Sequence, residues 1–579
     1  MKKLKYLTYL LGLWLSLSGC ERLDYAPGDQ LSESTFWKTE EHARQAAVGL
    51  YNAMRQPWCF GMEFTFDMCS DIADGTSPWA DVSRGTTFTS NSSCVQNHWQ
   101  YLYELVHRSN TVIRNVAAMP IGKETVERVI GEARFLRAMA YFRMLNCWGG
   151  VPYYDETCDI NLEFSKLDSP RCSDEELRGH ILDDLDYAIE KLPVAWNPED
   201  HGRATKGAAL ALRGKVYLFN RQWSEAIKDF EEIVYNKTED YGYFLHSDYE
   251  DLFRLYNGRT SKEMIFSIQS IDGNTAGYAL DIVSYFGNKS TMRLIASNRI
   301  VPSTTIVDMF ENKDGTPFDW NQVYPGFNEG DSQFRRDILS VAINNESTVI
   351  SDPLNCDIEK VQSVYENRDP RLCWNVITPY SYYLGTDAGS NPMEKRFVLA
   401  DPSKGGAPME AASFIRNSEG WNSYFWRKWI PTGNLDGYWG EYTRTPYEFP
   451  LIRLGDVILM LAEAYNETGQ TANAIQEINK IRSRVGMPEI NSGAPWLSAN
   501  GKDEVTERIR RERAFELMGE GQRYWDLKRW GILSEAVKDA TDIYGDLMYQ
   551  RVYQPRHEHW PIPLVEMDRN RNLVQNDGW

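Results

Sequence analysis

The stretch DIADGTSPWADVSRG sets Trp79 among Asp71, Asp74, Asp81 and Arg84. A flat aromatic ring beside carboxylates and a guanidinium suits sugar binding. The ring packs on the apolar C–H face of a pyranose, and the charged groups bond its hydroxyls. Gly75 and Pro78 keep the stretch out of a helix, so the indole is carried by a loop. The other reading of Trp79 is a packed anchor for that loop. Trp79→Ala separates the two: a platform predicts lost affinity at a nearly unchanged melting temperature, and an anchor predicts lost stability. Further aromatics sit beside Gly, Asn or Pro in the same manner: Tyr285 in VSYFGNKS, Trp320 in PFDWNQVYPGF, and the pair Tyr438 and Trp439 in NLDGYWGEY. The denser run GWNSYFWRKWIP reads instead as core. Tyr424 and Trp426 share one face of a strand, and Trp421, Phe425 and Trp429 share the other.

Catalytic and metal signals are weak. No HExxH, GxSxG, Walker A or GxGxxG motif is present. His557-Glu558-His559 lacks helical metal spacing and lies near Pro555 and Pro561. Nothing singles out a carboxylate pair for glycoside hydrolysis. No cofactor is implied. A formal charge of −20 with no basic block argues against nucleic acid and suits a neutral ligand. In ERIRRERAFELMGEGQRYWDLKRW, Glu507, Glu512, Glu516 and Glu520 interleave with the arginines at helical spacing, which predicts ion pairs rather than a polyanion site.

At the N-terminus, Lys2, Lys3 and Lys5 precede a short apolar run that stops at Leu17-Ser18-Gly19-Cys20. A charged start and an apolar core too short to span a bilayer with ease describe a secretory signal. The four-residue stop resembles the lipobox of bacterial lipoproteins, which implies cleavage before Cys20 and lipid on its sulfur. Residues 1–19 are then a signal peptide, and the mature chain is a body tethered to the outer membrane. Eight of the nine cysteines remain, with no CxxC pair among them. Disulfides within Cys59/Cys69/Cys94 and Cys147/Cys158/Cys172 and buried free thiols are equal expectations.

Mainly helices must position these groups. EEHARQAAVGLYNAM and GEARFLRAMAYFRML carry apolar residues at helical spacing, the second through Phe135, Leu136, Met139, Phe142 and Leu145. Gly214, Tyr217, Ala226 and Phe230 stand at the offsets of a tetratricopeptide (TPR) helix hairpin, and Ala462, Tyr465, Ala474 and Ile478 repeat those offsets far downstream. Two matches so far apart predict a split superhelical scaffold with other material inserted. That middle is rich in Gly, Pro, Asn and aromatics, with short strand-like pieces such as EMIFSIQ. The expected organisation is a helical region over 20–240, a loop-rich lobe of the same fold over 241–445, and TPR-like helices with an extended tail over 446–579.

Five blocks resemble the SusD/RagB family of Bacteroidetes lipoproteins, in the family's order from Ser32 to Trp579. They are SESTFWKTEEHARQAAVGLYNAMR, GEARFLRAMAYFRMLNCWGGVPYYDE, EFPLIRLGDVILMLAEAYNETG with AIQEINKIRSRVGMP, IRRERAFELMGEGQRYWDLKRWG, and the terminal WPIPLVEMDRNRNLVQNDGW. The resemblance implies a mostly α fold, with a TPR-like helix-pair superhelical scaffold and a loop-rich lobe containing short strands. It implies a non-enzymatic surface protein that binds glycans and lids a SusC-like TonB-dependent transporter in the outer membrane. Some family members take up peptides instead, and a surface glycoside hydrolase is a more distant reading. The family's starch binder has a ligand-contacting tryptophan with an Asp/Arg set in a loop comparable to that of Trp79. Tyr285 and Trp320 lie where its other ligand aromatics tend to fall. Glu21 and Asp24 beside Cys20 resemble the family's surface-export signal, with Arg22 interrupting it.

Overall fold

The computed structural model describes residues 36–158, 167–236, 241–254, 261–270, 281–288, 298–344, 349–386, 391–400, 414–415, 422–432 and 447–579. The fold is mostly helical. In the first part, α1 (Glu40–Met54), α2 (Ser93–Ala117), α3 (Lys123–Trp148) and α4 (Asp174–Lys191) pack around α3. Because α1, α2 and α4 all rest on it, α3 buries Phe135, Leu136, Met139 and Phe142 and also Ala133, Arg137 and Tyr141. Its burial is therefore broader than one stripe. Gly149, at φ 74°, ends it in a conformation that disfavours a side chain. Ser173 and Glu176 form a reciprocal capping box that starts α4.

The two TPR-like sets form helix hairpins. The first joins α5 (Lys206–Phe219) to α6 (Trp223–Glu231), with Gly214 against Phe230. A β-carbon on Gly214 would lie 2.5 Å from Phe230 Cε1, so the missing side chain sets the helix separation. Gly214→Val is expected to destabilise the protein by about 1–3 kcal/mol through overpacking, measured as a lower urea midpoint. A midpoint equal to the parent's would mean that these helices part freely.

The inserted lobe contributes short strands and helices. β1 (Ala73–Gly75) pairs antiparallel with β3 (Ile300–Pro302), and α7 (Ile282–Phe286) packs beside β3. β2 (Met264–Ile268) is the strand expected in EMIFSIQ. A β-hairpin of β4 (Tyr382–Thr386) and β5 (Pro392–Phe397) lies further on. β6 (Phe449–Arg453) returns to pair antiparallel with β2, Phe449 opposite Ile268 and Arg453 opposite Met264. This ladder ties the lobe to the second hairpin, α8 (Leu454–Glu467) and α9 (Thr471–Arg484), where Ala462, Ala474 and Ile478 are fully buried. The hairpins meet in space: α6 packs on α8, and the Tyr465 hydroxyl donates to Glu231 Oε1 at 2.6 Å. The split scaffold is thus closed by tertiary contact.

The arginine-rich stretch folds as α10 (Lys502–Glu516) and α11 (Arg523–Arg529). Its ion pairs are mostly buried and reach other elements. Arg513 holds Asp456 at 2.8 Å and Asp526 at 2.7 Å, Glu512 holds Arg371 at 2.7 Å, and Glu520 holds Lys428 at 2.8 Å. The tail crosses back to the N-terminal helices before α12 (Leu564–Arg569). There Trp148 Nε1 donates to Pro561 O and Trp560 Nε1 to Tyr524 Oη, each at 3.0 Å. Tyr424, Trp426 and Trp429 are core residues, with Trp426 stacked on Phe286 at 4.4 Å; Trp421 lies outside the described residues.

Cys59, Cys69, Cys94, Cys147, Cys172, Cys356 and Cys373 are free thiols, and burial pushes those of Cys94 and Cys147 up to about 12. His557 packs against Trp579 and Phe88, and burial lowers its imidazole to about 4. Among the described residues no helix is long and apolar enough to cross a membrane. Cys20 lies outside the described residues.

Candidate functional site

The loop singled out by its chemistry is held by β1 and β3. A β-carbon on Gly75 would stand 2.9 Å from Arg299 O, so glycine permits the close strand approach. Thr76 N–H donates to Arg299 O at 2.9 Å, and Arg299 N–H to Tyr285 O at 2.9 Å. Thr76, Ser77 and Pro78 leave the pair as a half-buried edge beside half-buried Arg299. The Arg299 guanidinium sits 5.1 Å from the Tyr285 ring centre. Burial raises the Tyr285 phenol, and Arg299 and Ser77 partly offset that. Burial also raises Asp281, at the start of α7, against the pull of Arg299. On the other side of β1, Tyr549 Oη accepts from Gly75 N at 2.9 Å, and Arg84 lies over the Tyr549 ring at 4.9 Å. This edge offers a guanidinium, a carboxyl and hydroxyls, the groups that bond a polyol.

Its aromatic residues are placed differently from the sugar-platform expectation. Trp79 is only 1% exposed. It stacks on Phe66 at 4.5 Å and meets Trp58 and His98 edge-on, while Nε1 donates to Thr65 Oγ1 at 2.8 Å. A short helix over Ala80–Arg84 begins directly after it, with the indole turned toward α2. Trp79 is thus the packed anchor. Asp71 and Asp74 are structural as well: Asp71 takes a two-pronged bond from Arg523, both contacts 2.8 Å, and Asp74 pairs with Arg551 at 2.7 Å. Burying a carboxylate requires such a partner. Tyr285, 8% exposed, is shielded by Arg299 and meets Phe64 edge-on. Trp320, 6% exposed, belongs to a separate cluster, stacked on Phe327 with Nε1 donating to Asp308 at 2.9 Å. The structure therefore gathers Asp74, Arg84 and Tyr285 around β1 and leaves Trp320 apart. Tyr438 and Trp439 lie outside the described residues.

Arg299, Asp281, Thr76 and Ser77 were not singled out by sequence. Their role at this edge depends on the pairing of β1 with β3, distant in the chain, and no local spacing signals it.

The SusD family model matches residues 262–579. A second, described as starch-binding associating with outer membrane, matches residues 23–218. The chain is 26% identical to SusD-like protein P25 of Formosa agariphila, over 100% of this chain and 99% of that one. It is 22% identical to starch-binding protein SusD of Bacteroides thetaiotaomicron, over 88% of this chain and 84% of that one. The fold is similar to that of a SusD-like protein of Bacteroides fragilis, with TM-score 0.73, 24% identity, and 96% and 100% of the two chains covered. It is also similar to surface glycan-binding protein A of Bacteroides thetaiotaomicron, solved in complex with laminarihexaose, with TM-score 0.62, 19% identity, and 93% and 99% covered. The match over 262–579, the paired TPR-like hairpins and the short-stranded lobe between them agree: the chain belongs to the SusD family.

Proposed function

We propose that this protein is a surface glycan-binding lipoprotein that captures an oligosaccharide and delivers it to a SusC-like TonB-dependent transporter, without cleaving it. The observation that carries this reading is the match of the starch-binding, outer-membrane-associating family model to residues 23–218, the part that contains β1 with Thr76 and Ser77; Asp281 and Arg299 of the same edge fall within the SusD family match over 262–579. The relatives named for starch binding and solved with a laminarin oligosaccharide point to the same ligand class. Lipid on Cys20 would tether the body to the outer membrane facing the exterior; a diacyl group plus an N-acyl chain on that residue supplies enough buried methylenes to anchor stably. Arg299, Asp281, Thr76 and Ser77 bond sugar hydroxyls in this reading, with Tyr438 and Trp439 as the stacking rings.

The test is calorimetric titration of the mature protein with starch and laminarin oligosaccharides and with peptides, together with an assay for new reducing ends. Binding of a glycan with no reducing ends released is expected. Arg299→Ala and Trp439→Ala should each weaken it at least about tenfold, roughly 1.4 kcal/mol. Binding of peptides alone, or release of reducing ends, would refute the reading.

A further inference from the structure

A cavity of about 400 Å³ opens between α2, the chain just after α3, and α12, and it shares no residue with the β1 edge. Its inner walls are Trp99 and Tyr103 of α2, Tyr154, Val106 and Leu573. Tyr103 meets Trp99 at 5.0 Å and Tyr154 at 6.1 Å between ring centres. The walls are fixed by bonds of their own. Tyr103 Oη donates to Pro152 O at 2.7 Å, Asn110 Nδ2 donates to Tyr154 O at 2.9 Å, and Tyr154 N–H donates to Tyr141 Oη at 2.8 Å. The rim carries Gln100, Glu104, His107 and Glu566. Glu104 pairs with Arg108 at 2.7 Å and Glu566 with Arg569 at 2.9 Å. The Gln100 side chain is exposed.

We infer that this cavity is a second saccharide site, taking one or two neutral sugar units of a longer glycan; the ligand class rests on the function proposed above. The volume falls in the range of small-ligand pockets, about 300–1,000 Å³. Tyr103 and Tyr154, both half-buried, offer aromatic surface to the apolar face of a pyranose, and buried Trp99 backs them. Rim carboxylates accept from sugar hydroxyls, and an open mouth leaves the remaining hydroxyls in water rather than buried without partners. The arginines beside the rim, Arg108 and Arg569, are already held by Glu104 and Glu566, so neither is left over to bind uronic or sulfated sugars. Prefixed walls lower the ordering cost of binding. A site here, apart from the β1 edge, would hold a glycan chain at two points, so that each weak contact raises the effective concentration for the other.

The test uses the full mature protein, by calorimetry and saturation-transfer NMR, with a neutral oligosaccharide that it binds and a uronic-acid oligosaccharide as control. The wild type should show two classes of site for short neutral oligosaccharides and none at the cavity for the acidic one. Gln100→Trp, placed on the exposed rim so that the new indole plugs the mouth, should remove one class and leave the other. Glu566→Gln should weaken the same class about threefold to tenfold without plugging it. Arg299→Ala should spare that class and remove the other. If the Gln100→Trp and Glu566→Gln isotherms superimpose on the wild type, the cavity is not a sugar site, and glycan capture still stands. If the wild type binds no glycan, both readings fall.

Discussion

Arg453→Met is expected to cost about 3–5 kcal/mol of stability, because it takes from three buried carboxylates the one cation they share, leaving Arg484, Arg371 and Lys428 to hold them. The Arg453 guanidinium touches Glu263 Oε1 and Glu516 Oε1 at 2.7 Å each and Glu520 Oε2 at 2.7 Å, and it also donates to Glu516 O at 2.7 Å. All four side chains are buried. Those carboxylates come from the residue just before β2, the end of α10 and the turn after it, so one side chain joins the inserted lobe to the C-terminal helices. Burial pushes the Glu516 carboxyl up, but Arg484, Arg453 and Arg371 outweigh it and hold the group down at about 2. The sign follows from linkage. A carboxyl lowered on folding contributes stability that is complete above its unfolded value, about 4.3, and is lost as pH falls from there toward 2. Urea midpoints at pH 7 and pH 3 read both effects. The parent should lose stability between them, and the variant should start lower and lose less, because Glu516 no longer releases its proton as readily. A variant within about 0.5 kcal/mol of the parent at pH 7 would show that the cluster contributes nothing net.

Trp79→Ala is expected to cost about 3–5 kcal/mol, as for large aromatic truncations in cores, while the folded variant keeps its glycan affinity. The indole fills space between Phe66, Trp58, His98 and Trp560, and its N–H satisfies Thr65 Oγ1. His98, lowered to about 3 chiefly by burial, stays neutral at physiological pH and packs as part of the same core. Truncation opens a cavity that these rigid rings cannot close. Differential scanning calorimetry should show a large fall in melting temperature, and titration below it should return the parent's affinity. Lost affinity at an unchanged melting temperature would restore the platform reading.

Local spacing was enough to determine the helix hairpins. A small residue at 214 or 462 and its partners at fixed offsets meet within one hairpin, so the contact is written in a short stretch of chain. The strand in EMIFSIQ was legible for the same reason. Helical spacing of glutamates and arginines announced ion pairs in α10, but their partners lie mostly on other elements, Arg513 meeting Asp456 and Asp526 and Glu512 meeting Arg371. The ordered blocks from Ser32 to Trp579 carried the family. Three features were decided only in three dimensions. Trp79 turns inward because Phe66 and Thr65 are there to receive it, and composition alone cannot distinguish that from an exposed ring. Arg299 reaches the edge of β1 through a strand pairing distant in sequence. The cavity behind Tyr103 exists because α12, near the end of the chain, stands beside α2, near its beginning. Periodicity records which neighbours a residue meets within its own helix or strand. The direction of a loop side chain and the shape of a hollow depend on partners brought from elsewhere by packing.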